Sequence, residues 1–271
     1  MKQLIFTIVI VIALALALAG SGIKATAAGA APALSAGHAA MFDEREEIRK
    51  SYQLSPGARV KVSGLNGPVT IETTEGNTAE IYIERTARSR EALESRPVII
   101  ESAPDQLIIR TEKDREESWG GRERNVHDRA ILKLPRRIDL NVSGINGAVS
   151  VAEIEGKAEV SGINGSVSFA QAASFSRISG INGRVVVGMN RIGEGGLKIS
   201  GINGSVECRI SEAVNAELNT SGVNGRVSVN LDRVTVSGEL TRSRINARIG
   251  NGGPAISVSG INGNVQFNPL N

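Results

Sequence analysis

Aromatic residues are scarce in this chain, with one Trp, two Tyr and five Phe in 271 positions. A domain of this length ordinarily fills its centre with rings, the side chains that bury the most area. Val, Ile, Leu and Ala must do that here, which predicts a thin interior. Cysteine is almost as rare. Cys208 stands alone, so no internal disulfide can form, and in an oxidising compartment a single thiol is best kept inside. His38 and His127 are the two histidines. No His/Cys spacing resembles a zinc site, and no cofactor is expected. A large charge of one sign is missing too: 31 basic against 28 acidic residues leave a formal +3. With no basic stretch interleaved with aromatics to stack bases, nucleic acid is not an expected partner. Asp232 is the only Asp after Asp139, whereas calcium-binding β-roll repeats carry Asp in each Gly-rich nonapeptide.

What is present begins with "MKQLIFTIVIVIALALALAG". Lys2 supplies a short positive region, residues 4–19 are apolar apart from Thr7, and Ala25-Thr26-Ala27 offers a small-residue cleavage site before Ala28. The run falls short of the roughly 20 residues that a full membrane span needs. Residues 1–27 therefore read as a cleaved signal peptide or, uncleaved, as an anchor through residues 4–20. No Cys follows the run, which excludes lipid attachment there. Either reading exports the remainder to the periplasm, the outer surface or the medium. An Ala-rich linker over 28–45 leads to a repeat domain over 46–271. Within it, a charged surface loop is expected over 112–129 and regular SGING repeats over 141–271.

The repeat is the dominant signal. "SGINGSV" occurs at 161–167 and again at 200–206, and the motif Asn recurs at Asn66, Asn146, Asn164, Asn182, Asn203, Asn224, Asn246 and Asn262. From Asn146 onward the intervals are 18, 18, 21, 21, 22 and 16 residues, a period that marks a repeat architecture. After each motif the chain alternates. Val167/Phe169, Val185/Val187, Val206/Cys208, Val227/Val229 and Val265/Phe267 share one parity, with mostly polar residues between them. This is period-two strand patterning with one face buried. Ile48, Lys50, Tyr52 and Leu54 likewise share a parity and suggest an earlier strand.

Two all-β readings are open. In the first, the chain is a single-stranded β-solenoid (β-helix) with about 16–22 residues per coil, Asn-Gly is a corner, and corner asparagines stack in a ladder at the strand spacing of about 4.8 Å. In the second, Asn-Gly makes type I′ hairpins in a β-sandwich or barrel. Near-identical corners, a thin interior and an even period favour the solenoid. Residues 67–140 hold motif-free strand patterns such as "AEIYIER" and "QLIIRT". They form further coils or a separate β-subdomain. The copy "SRINARI" replaces both glycines with Arg244 and Ala247, so that corner must use other dihedrals or lack crowding neighbours.

The recurring Gly-Ile-Asn, the opening "ARVKVSGLNGPVTIE" and the later "LPRRIDLNVSGINGAVSV" resemble the bacterial "putative adhesin" family, of the type called the head GIN domain, over roughly residues 48–271. That resemblance implies an exported, envelope-associated interaction module with a β-helix fold. It supplies no catalytic residues.

No catalytic constellation is expected from the residues either. Glycoside cleavage generally needs two carboxylates flanking one bond, and the carboxylates of the repeat region, among them Glu153, Glu159, Glu207 and Glu217, are scattered in phase. The motif asparagines read as a structural ladder rather than a sugar site. Arg184, Arg226 and Arg248 each stand two residues after a motif Asn, so in a solenoid they would share a face open to an anionic ligand. Trp119, beside Gly120 and Gly121 in the charged loop, could anchor a sugar or fold back on the domain. The expectation is a non-enzymatic envelope protein with an adhesin-like interaction or scaffold role, its partner a glycan or protein of the envelope or a surface. It would touch the membrane only through an uncleaved N-terminus. A polysaccharide-active β-helix enzyme and a membrane-anchored envelope sensor are the alternatives.

Overall fold

The computed structural model describes residues 44–112, 126–170, 174–236, 241 and 243–270, all within one compact unit, Ala40–Asn271. The N-terminal apolar run, the Ala25-Thr26-Ala27 site, His38 and Trp119 lie outside the described residues. The fold is all-β with one short helix. Its first part contains β1 (Glu44–Gln53), β2 (Ala58–Ser63), β3 (Val69–Thr74), β4 (Thr78–Ala87), α1 (Arg90–Glu94), β5 (Val98–Ala103), β6 (Gln106–Thr111) and β7 (His127–Pro135). The regular part contains β8 (Ile138–Ser143), β9 (Val149–Val151), β10 (Ala158–Asn164), β11 (Val167–Phe169), β12 (Ser176–Asn182), β13 (Val185–Met189), β14 (Leu197–Asn203), β15 (Val206–Ile210), β16 (Ala216–Asn224) and β17 (Val227–Val229). The chain closes with β18 (Val234–Val236), β19 (Asn246–Ile249), β20 (Ala255–Asn262) and β21 (Val265–Pro269).

Two large open sheets share one aliphatic core. The ten-stranded sheet runs β1-β4-β7-β3-β9-β11-β13-β15-β21-β17, and the eleven-stranded sheet runs β18-β19-β16-β20-β14-β12-β10-β8-β2-β6-β5. Two sheets enclosing a core is the arrangement of the sandwich alternative. The Asn-Gly turns in it are not hairpin turns, however, since β10 and β11, joined by one such turn, belong to different sheets. Successive repeats pair in parallel and in register, as Val160 with Ile178 and Ile178 with Ile199. Inward positions are mostly aliphatic, and Phe169 and Phe267 are the only aromatic residues among the described buried ones.

Spatial order departs from chain order at both ends. The last repeat, β20 with β21, sits between β14/β15 and β16/β17. At the other end, β2/β3 is flanked by β6/β7 on one side and β8/β9 on the other. Residues 67–140 thus answer to both readings. β6 and β7 make a motif-free layer of the parallel stack, while β1, β4 and β5 pair antiparallel as a cover over its end. The charged loop is shorter than the expected 112–129, because His127 already begins β7, opposite Thr86. The outermost strand β1 alternates charged residues with Ile48 and Tyr52, and such charges discourage edge-to-edge pairing with another chain.

Candidate functional site

The repeated corner is built by two glycines with different duties. In Ser161-Gly162-Ile163-Asn164-Gly165, Gly162 has φ +62°, a left-handed conformation that inserts an extra residue so that Val160 and Ile163 both point inward. A side chain there would meet no atom nearer than 3.5 Å. Gly165 is different: a Cβ would lie 2.3 Å from the Gly147 carbonyl oxygen of the neighbouring repeat. Backbones stack at this corner without room for a methyl group.

Between the glycines the asparagines form a continuous ladder. Asn146 Nδ2 donates to Asn66 Oδ1 at 2.7 Å, Asn164 to Asn146 at 2.9 Å, Asn182 to Asn164 at 3.1 Å and Asn203 to Asn182 at 3.1 Å. It continues with Asn262 donating to Asn203 at 3.1 Å and Asn224 to Asn262 at 3.1 Å. Asn262, the last motif Asn in the sequence, is therefore an interior rung. Asn246 is not a rung. It lies in β19 opposite Asn219 in an antiparallel pair, where no corner stacks and the missing glycines have nothing to do.

At its first rung the ladder is anchored to a buried charge network. Asn66 Nδ2 donates to the Val126 carbonyl at 2.6 Å, and the Asn66 amide donates to Asp128 Oδ2 at 2.8 Å. Asp128 Oδ1 pairs with Arg85 Nε at 3.3 Å, both side chains at most 2% exposed. Arg85 also reaches Glu46 at 2.8 Å and donates to the Arg96 carbonyl. A buried pair of this kind needs such extra hydrogen bonds to offset desolvation. The sequence reading missed this network, although its signal was there: Arg85 shares the inward parity of Ile81 and Ile83, and Asp128 that of Ala130 and Leu132.

The rungs beyond Asn66 are exposed amides, and each interior one spends one N–H and one oxygen lone pair on its neighbours. Replacing Asn164 with Ala removes two hydrogen bonds without burying an orphan, so the loss should be about 1 kcal/mol. Asn262→Ala should cost as much, and Asn224→Ala, at the end of the ladder, less. Urea melts of the three variants check this order.

The anticipated arginine face does not assemble. Ser166, Arg184, Ser205, Asn264 and Arg226 follow one another along the ten-stranded sheet, so about 14 Å, three strand spacings, separates the two arginines. Arg184 is bound to Glu207 at 2.5 Å. Arg248 is on the other sheet, paired with Glu217 at 2.9 Å. Glu207 also takes Arg209 at 2.8 Å. Hydrogen bonds from Arg209 and then Arg184 hold its carboxyl below the usual range.

Cys208 is fully buried between Val187 and Phe267. Burial first, and the Glu207 charge second, push its thiol up to about 12. A folded-state value raised above the unfolded one leaves stability intact below about pH 9, and stability falls as pH rises from there toward 12. Thiol-reactive dye at pH 8 should label Cys208 only after denaturation. Rapid labelling of the folded chain would reverse the inward assignment. Among the described residues no group of three or more His, Cys, Asp or Glu could hold a metal ion.

Fold and corner together define a class, the all-β repeat proteins with two sheets and stacked Asn-Gly turns. No protein-family model and no curated protein matches the chain. Among solved structures, it is similar to a putative cell adhesion protein from Clostridium sporogenes, with 14% identity, TM-score 0.40, and 84% of this chain and 100% of that chain covered. It is also similar to a putative adhesin from Bacteroides fragilis, with 9% identity, TM-score 0.37 and coverage of 82% and 97%. A third, a putative lipid binding protein from Parabacteroides distasonis, has 10% identity, TM-score 0.27 and coverage of 83% and 95%.

Proposed function

We propose that this protein is an exported, non-enzymatic β-solenoid of the cell envelope with an adhesin-like interaction or scaffold role. The observation that carries the reading is the use of the repeated residues: each corner Asn bonds to its counterpart in the next repeat, and the second glycine admits the neighbouring backbone. The repetition is thereby accounted for by stacking. In favour of a solenoid, the corners at Asn146, Asn164 and Asn182 each carry the chain to the opposite sheet, and the chain then returns to pair in parallel with the strand it left. Each repeat is then one coil, and the antiparallel strands at both ends cover the stack, as repeat proteins require. The N-terminal charge, apolar run and small-residue site support export.

Cell fractionation with intact-mass measurement tests this reading. The expected result is a chain in the envelope or medium that begins near Ala28. A full-length chain in the cytoplasm would overturn it.

A further inference from the structure

We infer that the outer face of the eleven-stranded sheet binds an extended anionic polysaccharide lying along the stack, across the strands. This rests on the adhesin-like reading and names its ligand class and its surface. On the ten-stranded sheet, Arg184 and Arg209 share Glu207 and Arg45 pairs with Glu47 and Glu84, while Arg129 and Lys133 stand opposite Glu84 and Glu80 and Arg226 is exposed outside any ion pair among the described residues. On the eleven-stranded sheet, Arg59, Lys61, Lys157, Arg177 and Lys198 are exposed, and none is in an ion pair among the described residues.

Two carboxylates lie among these cations and are hydrogen-bonded to neutral amides, so the five cations outnumber them by three. Asp139 Oδ1 accepts the Lys157 backbone N–H at 2.8 Å, and Glu159 accepts from Asn141 Nδ2 at 3.4 Å. Arg177, although in register with Glu159, lies over the Phe175 ring at 5.5 Å. Lys61, Asn141, Glu159, Arg177 and Lys198 occupy one row across five adjacent strands, so Arg177 and Lys198 stand on neighbouring strands and Lys61 lies further along the same row, beyond Asn141 and Glu159. A groove of about 490 Å³ opens over the first part of that row, its charged lining made of Arg59, Lys61 and Lys157 together with Asp139 and Glu159.

The adjacent row is made of hydroxyls. Ser143, Ser161, Ser179, Ser200 and Ser259 are in register on successive strands, each half-buried. Their spacing of about 4.8 Å is close to the length of one sugar ring. A glycan chain along the stack would meet one serine per coil, with its anionic groups above the lysine and arginine row. Other polyanions fit less well. Phe175 is covered by Arg177, which leaves no ring for stacking nucleic-acid bases. The one large exposed hydrophobic among the described residues is Val236, in β18 at the end of the sheet, so the face offers nothing to insert into a lipid surface.

The test measures binding of the exported chain to immobilised polygalacturonate, with dextran and double-stranded DNA as comparators, at about 0.15 M salt, where exposed charges farther apart than about 8 Å are screened. The expected result is binding to polygalacturonate and not to dextran, lost by about tenfold or more in a K61E/R177E/K198E variant, as charge complementarity requires. An R184E/R226E variant on the other sheet reverses two charges and should stay within about twofold of wild type. Urea melts of both variants show that the fold is retained. No binding by wild type, equal loss in both variants, or DNA bound as tightly as polygalacturonate would each overturn the inference. Fractionation bears on export alone, so an envelope protein that ignores polygalacturonate refutes the ligand class and leaves the adhesin-like role standing.

Discussion

Deleting residues 254–271 is expected to abolish cooperative unfolding, although these are the last residues of the chain. They form the repeat between β14/β15 and β16/β17, so their loss cuts the last parallel layer, and the strands that cover it, off from the rest of the stack. Ile256, Val258, Ile261, Val265 and Phe267 are all buried. At roughly 2 kcal/mol each, their burial amounts to about 10 kcal/mol, comparable with the entire stability of a typical domain. The Asn ladder would also break between Asn203 and Asn224, because Asn262 is the rung that joins them. Far-UV circular dichroism with a urea melt provides the readout. Deletion of residues 44–53, which form a true edge strand with Ile48 and Tyr52 only partly buried, should leave a cooperative transition at lower urea. A cooperative melt after the C-terminal deletion would mean that β16/β17 docks directly on β14/β15.

Gly183→Val is expected to destabilise the fold by on the order of 3–5 kcal/mol, from overpacking together with backbone strain. Its Cβ would lie 2.3 Å from the Gly165 carbonyl oxygen, at φ +154°. The neighbouring backbone cannot retreat, because the same contact recurs at Gly165, Gly204 and Gly263. Gly180→Asn, three residues earlier, should cost no more than about 1 kcal/mol, since Asn tolerates the left-handed region. Gly180 has φ +62° and no atom within 3.5 Å of a new Cβ. Chemical denaturation of the pair separates the two duties. Equal tolerance at both positions would remove the close-approach explanation.

Strand phase was legible along most of the chain. Val167/Phe169 and Val206/Cys208 are buried as their parity requires, and Ile48 and Tyr52 lie on one side of β1. The ladder was legible as well, because Asn at a repeated corner has a counterpart one strand away. Its membership and order were not. Asn246 has the sequence neighbourhood of a rung, but Arg244 and Ala247 deny it the corner, and it pairs antiparallel instead. Nothing local tells Asn262 to stack on Asn203 rather than beyond Asn224, since the flanking "SGING" and "SGVNG" offer nearly the same surface. The arginine face failed for the same reason. Three arginines share an offset from Asn, and that offset fixes a position within the repeat while leaving open which repeats are adjacent. The cations of the eleven-stranded sheet went unseen because Lys61, Arg177 and Lys198 belong to different repeats and become a row only through register.

The stacking order can be measured by cross-linking. Ser200 and Ser259 are register partners on β14 and β20, and Ser221 lies one strand further, opposite Ser259. Adjacent in-register strands put Cα atoms about 4.8 Å apart, within disulfide range, whereas two strand spacings, about 9.6 Å, lie beyond it. Under mild oxidation, an S200C/S259C variant should form an intramolecular disulfide, seen as a mobility shift on a non-reducing gel. An S200C/S221C variant should remain reduced. The opposite pattern, with Ser200 linked to Ser221 and not to Ser259, would mean that the repeats stack in chain order and would contradict the order of corners proposed for this protein.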